Sequence, residues 1–102
     1  MAQREILLID DDENSRLSLC EIVQMQGYSV MAAATGEEGL RLHKENNFKL
    51  ILTDLRLPGL SGIDVIKMDK ALNPNTETII LTGYATVETA VEAMRVGAYD
   101  FL

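Results

Sequence analysis

Four short apolar runs, "EILLI" (5–9), "YSVMAA" (28–33), "KLILT" (49–53) and "TIILT" (78–82), recur along the chain, and a fifth, "AYDFL" (98–102), ends it. Ile6-Leu7-Leu8-Ile9 and Ile79-Ile80-Leu81 are continuous rather than alternating. That is the pattern of strands buried on both faces of a parallel sheet. A sheet apolar on both sides has to be covered on both, so the segments between the runs must be helices.

Those segments carry the required spacing. Leu17, Cys20 and Val23, with Leu19 and Ile22 beside them, predict an apolar helix face, and Gly27 suits the left-handed residue that ends such a helix. Thr35 followed by Glu38 predicts a capping box at the head of "GEEGLRLHKEN". Residues 62–72 place Ile63 and Ile66, with Val65 and Met68, on a third helix, and "NPNT" (73–76) breaks the chain after it. Thr86 caps a fourth, in which Val87, Ala90, Val91 and Met94 form a stripe that Gly97 stops. Strand and helix thus alternate, which implies right-handed crossovers and an open α/β sheet with helices on both sides.

Such a sheet directs attention to the residues just after each strand, because ligands bind outside the carboxyl ends of the strands. Asp10, Asp11 and Asp12 follow the first run, Asp54 follows the third, and Thr82 closes the fourth. Parallel strands end at one rim, so these positions are expected to be neighbours. Carboxylates gathered there would repel one another, and one would take up a proton, unless a cation neutralised them. Magnesium fits a shallow rim, since it takes one or two protein carboxylates and completes its shell with waters and phosphate oxygens. A carboxylate beside it is a candidate nucleophile for phosphoryl transfer. Asp54 is the candidate, with the Thr82 hydroxyl across the rim and Gly83 leaving room for backbone.

Composition narrows the function classes. The 102 residues suffice for one domain with one core, and 47% apolar with 25% charged residues is ordinary for a globular chain. A formal net charge of −7 argues against direct nucleic acid binding. The lone Cys20 forms no internal disulfide and is read as a small apolar residue on the first helix. With no long apolar stretch and no signal peptide before "ILLI", a cytoplasmic location and no membrane partner are expected. Pro58-Gly59 reads as a turn, and His43, between charged neighbours, as a solvated residue.

Taken together, "LLIDDDENSRL", "LILTDLRLPGLSGIDVI", "IILTGYATVETAVEAM" and "GAYDFL" resemble the receiver domain of two-component response regulators over essentially the whole chain, nearest the nitrogen-regulator type. The resemblance implies a single receiver domain over 1–102 with a flavodoxin-like fold: an open parallel five-stranded sheet, order 2-1-3-4-5. It places Asp54 as phosphoacceptor and Asp10 and Asp11 as the acidic pair, with Asp11 the direct Mg2+ ligand and Asp10 acting more through water. Arg56 matches the residue whose backbone carbonyl ligates the ion, Thr82 the switch hydroxyl, Phe101 the switch aromatic, and Tyr84 a position that tunes loss of the phosphoryl group. Asp12 lies one place beyond the pair and is not carried over; an acidic triplet after a strand, seen alone, is more often a polar loop or helix cap.

The partners implied are a sensor histidine kinase as donor and an output domain or regulator partner that reads the switched surface. The resemblance also implies that the domain catalyses its own phosphorylation, with no turnover of a separate substrate expected. Receivers of this type continue past the last strand with a lysine-proline pair and a fifth helix, whereas this sequence stops at Leu102. None of Lys44, Lys49, Lys67 or Lys70 stands at a strand end suited to replace that lysine. The final helix is therefore expected to be absent, leaving sheet surface near the first helix uncovered and favouring a homodimer or domain-swapped oligomer. A pseudo-receiver acting as an interaction or dimerisation module is the alternative. A magnesium-dependent phosphatase is disfavoured because the chain has no room for a cap.

Overall fold

In the computed structural model the described residues are 5–55, 57–72, 75–81, 95 and 100–101. Strands β1 (Ile6–Ile9), β2 (Val30–Ala33), β3 (Leu50–Thr53), β4 (Glu77–Ile80) and β5 (Asp100–Phe101) form one parallel sheet in the order β2-β1-β3-β4-β5. Helices α1 (Glu13–Met25), α2 (Gly36–Asn46) and α3 (Gly62–Leu72) fill the connections between the first four strands. The expected strand order is therefore the observed one. The helix expected after Thr86 lies outside the described residues apart from Arg95.

The continuous apolar runs divide by parity, as a pleated strand requires. Leu7 and Ile9 of β1 pack with Ala33, Ile51, Phe48 and Val65 on the side of α2 and α3. Ile6 and Leu8 point the other way, with Val30, and meet Leu19, Cys20 and Val23 of α1. Cys20 thus packs as the apolar residue expected. Both faces of β1 are buried, which is why its sequence shows no alternation.

Each helix begins where local chemistry stops the preceding strand. Asp12 caps α1, its carboxylate accepting the Ser15 N–H at 2.8 Å. Thr35 caps α2 by accepting the Glu38 N–H at 3.1 Å. Ser61 and Asp64 exchange reciprocal bonds, each side chain accepting the other's backbone N–H at 3.2 Å, a capping box at the head of α3 that the sequence reading did not single out. Gly27 follows α1 at φ +93°, in the left-handed region.

His43 corrects an expectation. It is 2% exposed rather than solvated. Its Nδ1 accepts the Phe48 N–H at 3.0 Å and its Nε2 stands 2.9 Å from the Asp69 carboxylate, while the Thr76 hydroxyl donates to the Phe48 carbonyl at 3.1 Å. The reason lies in α2's buried stripe, Gly36, Gly39 and His43. A Cβ at Gly39 would collide with the Ile9 side chain, so glycine there lets the helix lie close against β1 and carries His43 inward with it. No helix among the described residues is long and apolar enough to cross a membrane.

Candidate functional site

Register brings the acidic residues together. Ile9 pairs with Thr53 across β1 and β3, and Thr53 with Ile80 across β3 and β4. The next residue of each strand continues the ladder: Asp10 N–H bonds Ala33 O at 3.1 Å, Asp54 N–H bonds Ile9 O at 2.9 Å, and Leu81 N–H bonds Thr53 O at 2.9 Å. Asp10 and Asp54 are thereby fixed at one rim by backbone, despite the long sequence separation. Asp10, Asp11 and Asp54 each place a carboxylate oxygen within 4.8 Å of the others.

The three differ in environment. Asp10 is buried, Asp54 half-buried and Asp11 exposed. Burial, followed by the charges of Asp54, Asp11 and Asp12, pushes the Asp10 carboxyl above its ordinary value against the opposing pull of the Asp12 N–H, which it accepts at 3.0 Å. The hydrogen bond to Ser15 holds Asp12 below the ordinary range, consistent with a capping role rather than membership of the cluster. A set of oxygen donors, one of them protonation-prone through burial and like charge, is the donor chemistry of a hard divalent cation.

Two neighbours were not legible as site residues. Arg16, one turn into α1, donates from Nη1 to the Asp10 carbonyl at 3.0 Å, which ties the helix to the end of β1. Gly62 sits so close behind the phosphoacceptor candidate that a Cβ there would strike the Asp54 carbonyl oxygen and approach Leu55 Cα to 3.0 Å. Its N–H also bonds Leu55 O at 2.9 Å, so the loop after β3 closes tightly on Asp54. Arg56, Thr82 and Tyr84 lie outside the described residues. Phe101 is placed by its backbone alone, paired with Ile80.

Comparison with known proteins gives this rim its context. Residues 6–102 match the family described as the response regulator receiver domain. The chain belongs to the response regulator receiver family. A relative of this receiver is the transcriptional regulatory protein ZraR of Escherichia coli K12, 41% identical over 98 residues, which cover 96% of this chain and 22% of ZraR. Among solved structures, a receiver domain protein from Clostridium thermocellum superposes with TM-score 0.92 at 34% identity, over 96% of this chain and 79% of that one. NtrX from Brucella abortus superposes with TM-score 0.90 at 28% identity, over 99% of this receiver and 23% of NtrX. This receiver therefore spans about a fifth of the length of such regulators, and its fold is the flavodoxin-like one.

Proposed function

We propose that this receiver takes a phosphoryl group from a sensor histidine kinase onto Asp54 and uses it to switch a surface read by an output domain or regulator partner. The observation that carries the reading is the convergence of Asp10, Asp11 and Asp54 at the carboxyl ends of β1 and β3. Asp10, Asp11, Asp54 and the Arg56 carbonyl would hold Mg2+, with Asp11 the more direct ligand of the pair. The ion, when bound, would neutralise the carboxylates and the incoming phosphoryl oxygens.

Asp54 is the nucleophile of this proposal. One of its carboxylate oxygens attacks phosphorus, a P–O bond forms, the P–N bond to the donor imidazole breaks, and the departing nitrogen keeps the bonding electron pair and is then protonated. The tight closure of Gly62 on the Asp54 carbonyl supports the reading, because it fixes the backbone from which the attacking carboxylate projects. Thr82 would bond a phosphoryl oxygen, Phe101 would follow it inward, and Tyr84 would govern how long the phosphoryl group persists. Phosphorylation acts by favouring one of two conformations through contacts made only in that state. The net charge of −7 assigns any nucleic-acid contact to other parts of a full-length regulator.

Intact mass after incubation with acetyl phosphate tests this reading. Gain of one phosphoryl group that requires Mg2+ and disappears in Asp54→Asn is expected. Labelling that persists in Asp54→Asn would remove Asp54 as acceptor, and no uptake under any divalent cation, either by this chain or by one extended through a fifth helix, would favour the pseudo-receiver instead.

A further inference from the structure

A cavity of about 620 Å³ opens between α2 and α3, away from the carboxylate rim, where those helices end. That volume falls within the ~300–1,000 Å³ range of small-molecule sites. Its apolar wall is Leu40, Met68 and Leu72, and the last two are 45% and 74% exposed. The helix that supplies Leu40 also brings Arg41 and Lys44 to the lining, three residues apart on α2 and so neighbours on the helix surface. His43 and Asn47 complete the lining.

We propose that this groove binds a medium-chain carboxylate, with the anionic head against Arg41 and Lys44 and the apolar tail along Leu40, Met68 and Leu72. Charge complementarity selects the head. Among the described residues the charged groups of the lining, Arg41 and Lys44, are both cationic although the chain has a formal net charge of −7, and they give an anion a favourable approach. Arg41 does pair with Glu45 at 3.0 Å, but both side chains are more than half exposed, so the pair holds weakly. A guanidinium has five N–H donors, and one such bond leaves others for a ligand. The carbonyls at the end of α2, which would repel an anion, are partly satisfied: Asn47 N–H bonds His43 O at 2.7 Å and the Asn46 amide bonds Leu42 O at 3.0 Å.

Size selects a small molecule over a protein partner. Three apolar side chains bordered by charged residues fall far short of the ~1,200 Å² that a specific protein interface buries. His43 supplies a wall rather than a head-group contact, because both its ring nitrogens are engaged with Phe48 and Asp69. The site is independent of phosphoryl chemistry.

Titration of the 15N-labelled domain with sodium decanoate below its micelle concentration tests the proposal, with decyltrimethylammonium and butyrate as matched probes. Saturable amide shifts confined to residues 40–47 and 68–72 are expected with decanoate, with much weaker responses to the cationic amphiphile and to the short acid. Arg41→Glu with Lys44→Glu, both exposed and remote from the carboxylate rim, is expected to weaken decanoate binding by about tenfold or more. Phosphatidylglycerol vesicles distinguish a free carboxylate from a lipid surface. The proposal is overturned if decanoate shifts nothing, if the cationic probe binds equally well, if shifts centre on α1, if the double variant binds unchanged, or if vesicles bind and free decanoate does not.

Discussion

Asp10 carries the clearest electrostatic consequence in the molecule. Its carboxyl is raised above the ordinary value mainly by burial, so between its unfolded and folded values the folded state holds more protons than the unfolded one. Stability from this group therefore falls as pH rises through that window and recovers as pH drops below it. In chelator at neutral pH, Asp10→Asn is expected to raise the thermal midpoint, while added Mg2+ stabilises the wild type more than the variant; an unchanged midpoint in differential scanning calorimetry would contradict this. Asp12 has the opposite sign: its lowered value means stability that is present above the ordinary Asp range and lost as pH falls through it. Gly62 makes a steric prediction instead. Gly62→Ala drives a methyl group against the Asp54 backbone, which cannot give way as a side-chain end can, and is expected to cost roughly 1–3 kcal/mol by denaturant unfolding.

At the scale of elements, α2 is held at its head by Thr35 and at its foot by the His43 network. Thr35→Ala removes the acceptor of the Glu38 N–H and is expected to lower stability by about 1 kcal/mol, read as a shift in denaturation midpoint without change in slope. His43 joins α2 to α3 through Asp69 and to the entry of β3 through Phe48. His43→Leu leaves the Asp69 carboxylate buried without that partner, and a loss of about 3–5 kcal/mol is expected, against a smaller loss in the His43→Leu, Asp69→Leu double variant. Equal losses in the two would show that volume, not the polar pair, matters there. These elements also mark where the sequence was readable. The bounds of α2 followed from its capping residue and spacing, those of α3 from spacing and the break at "NPNT", and the continuous strands from their lack of alternation. His43 was misread because the stripe that buries it is glycine, which hydropathy does not score, and because Asp69, 26 positions further on, has no local signature. The acidic cluster was legible because one backbone rule, strand ends sharing a rim, brings Asp10 and Asp54 together. The steric role of Gly62 and the Arg16 contact depend on loop geometry that spacing does not encode.

At the scale of the whole molecule, the described residues close the two sheet faces unequally. The α2 and α3 side packs the larger clusters, whereas α1 has no fully buried residue and leaves Leu17, Ile22 and Met25 55–79% exposed. Leu17 and Ile22 were read as core-facing, and only Leu19, Cys20 and Val23 fill that role. Apolar surface of this kind favours association. Sedimentation velocity of the domain is expected to show a concentration-dependent increase that Leu17→Lys with Ile22→Lys suppresses; a single invariant species would contradict it. The central claim concerns one atom pair, an Asp54 carboxylate oxygen and phosphorus, and borohydride trapping reads it directly. Reduction of the domain after acetyl phosphate and Mg2+, followed by peptide mass mapping, is predicted to convert residue 54, and neither Asp10 nor Asp11, to homoserine. Homoserine at either of the other two positions, or at none, would contradict the account.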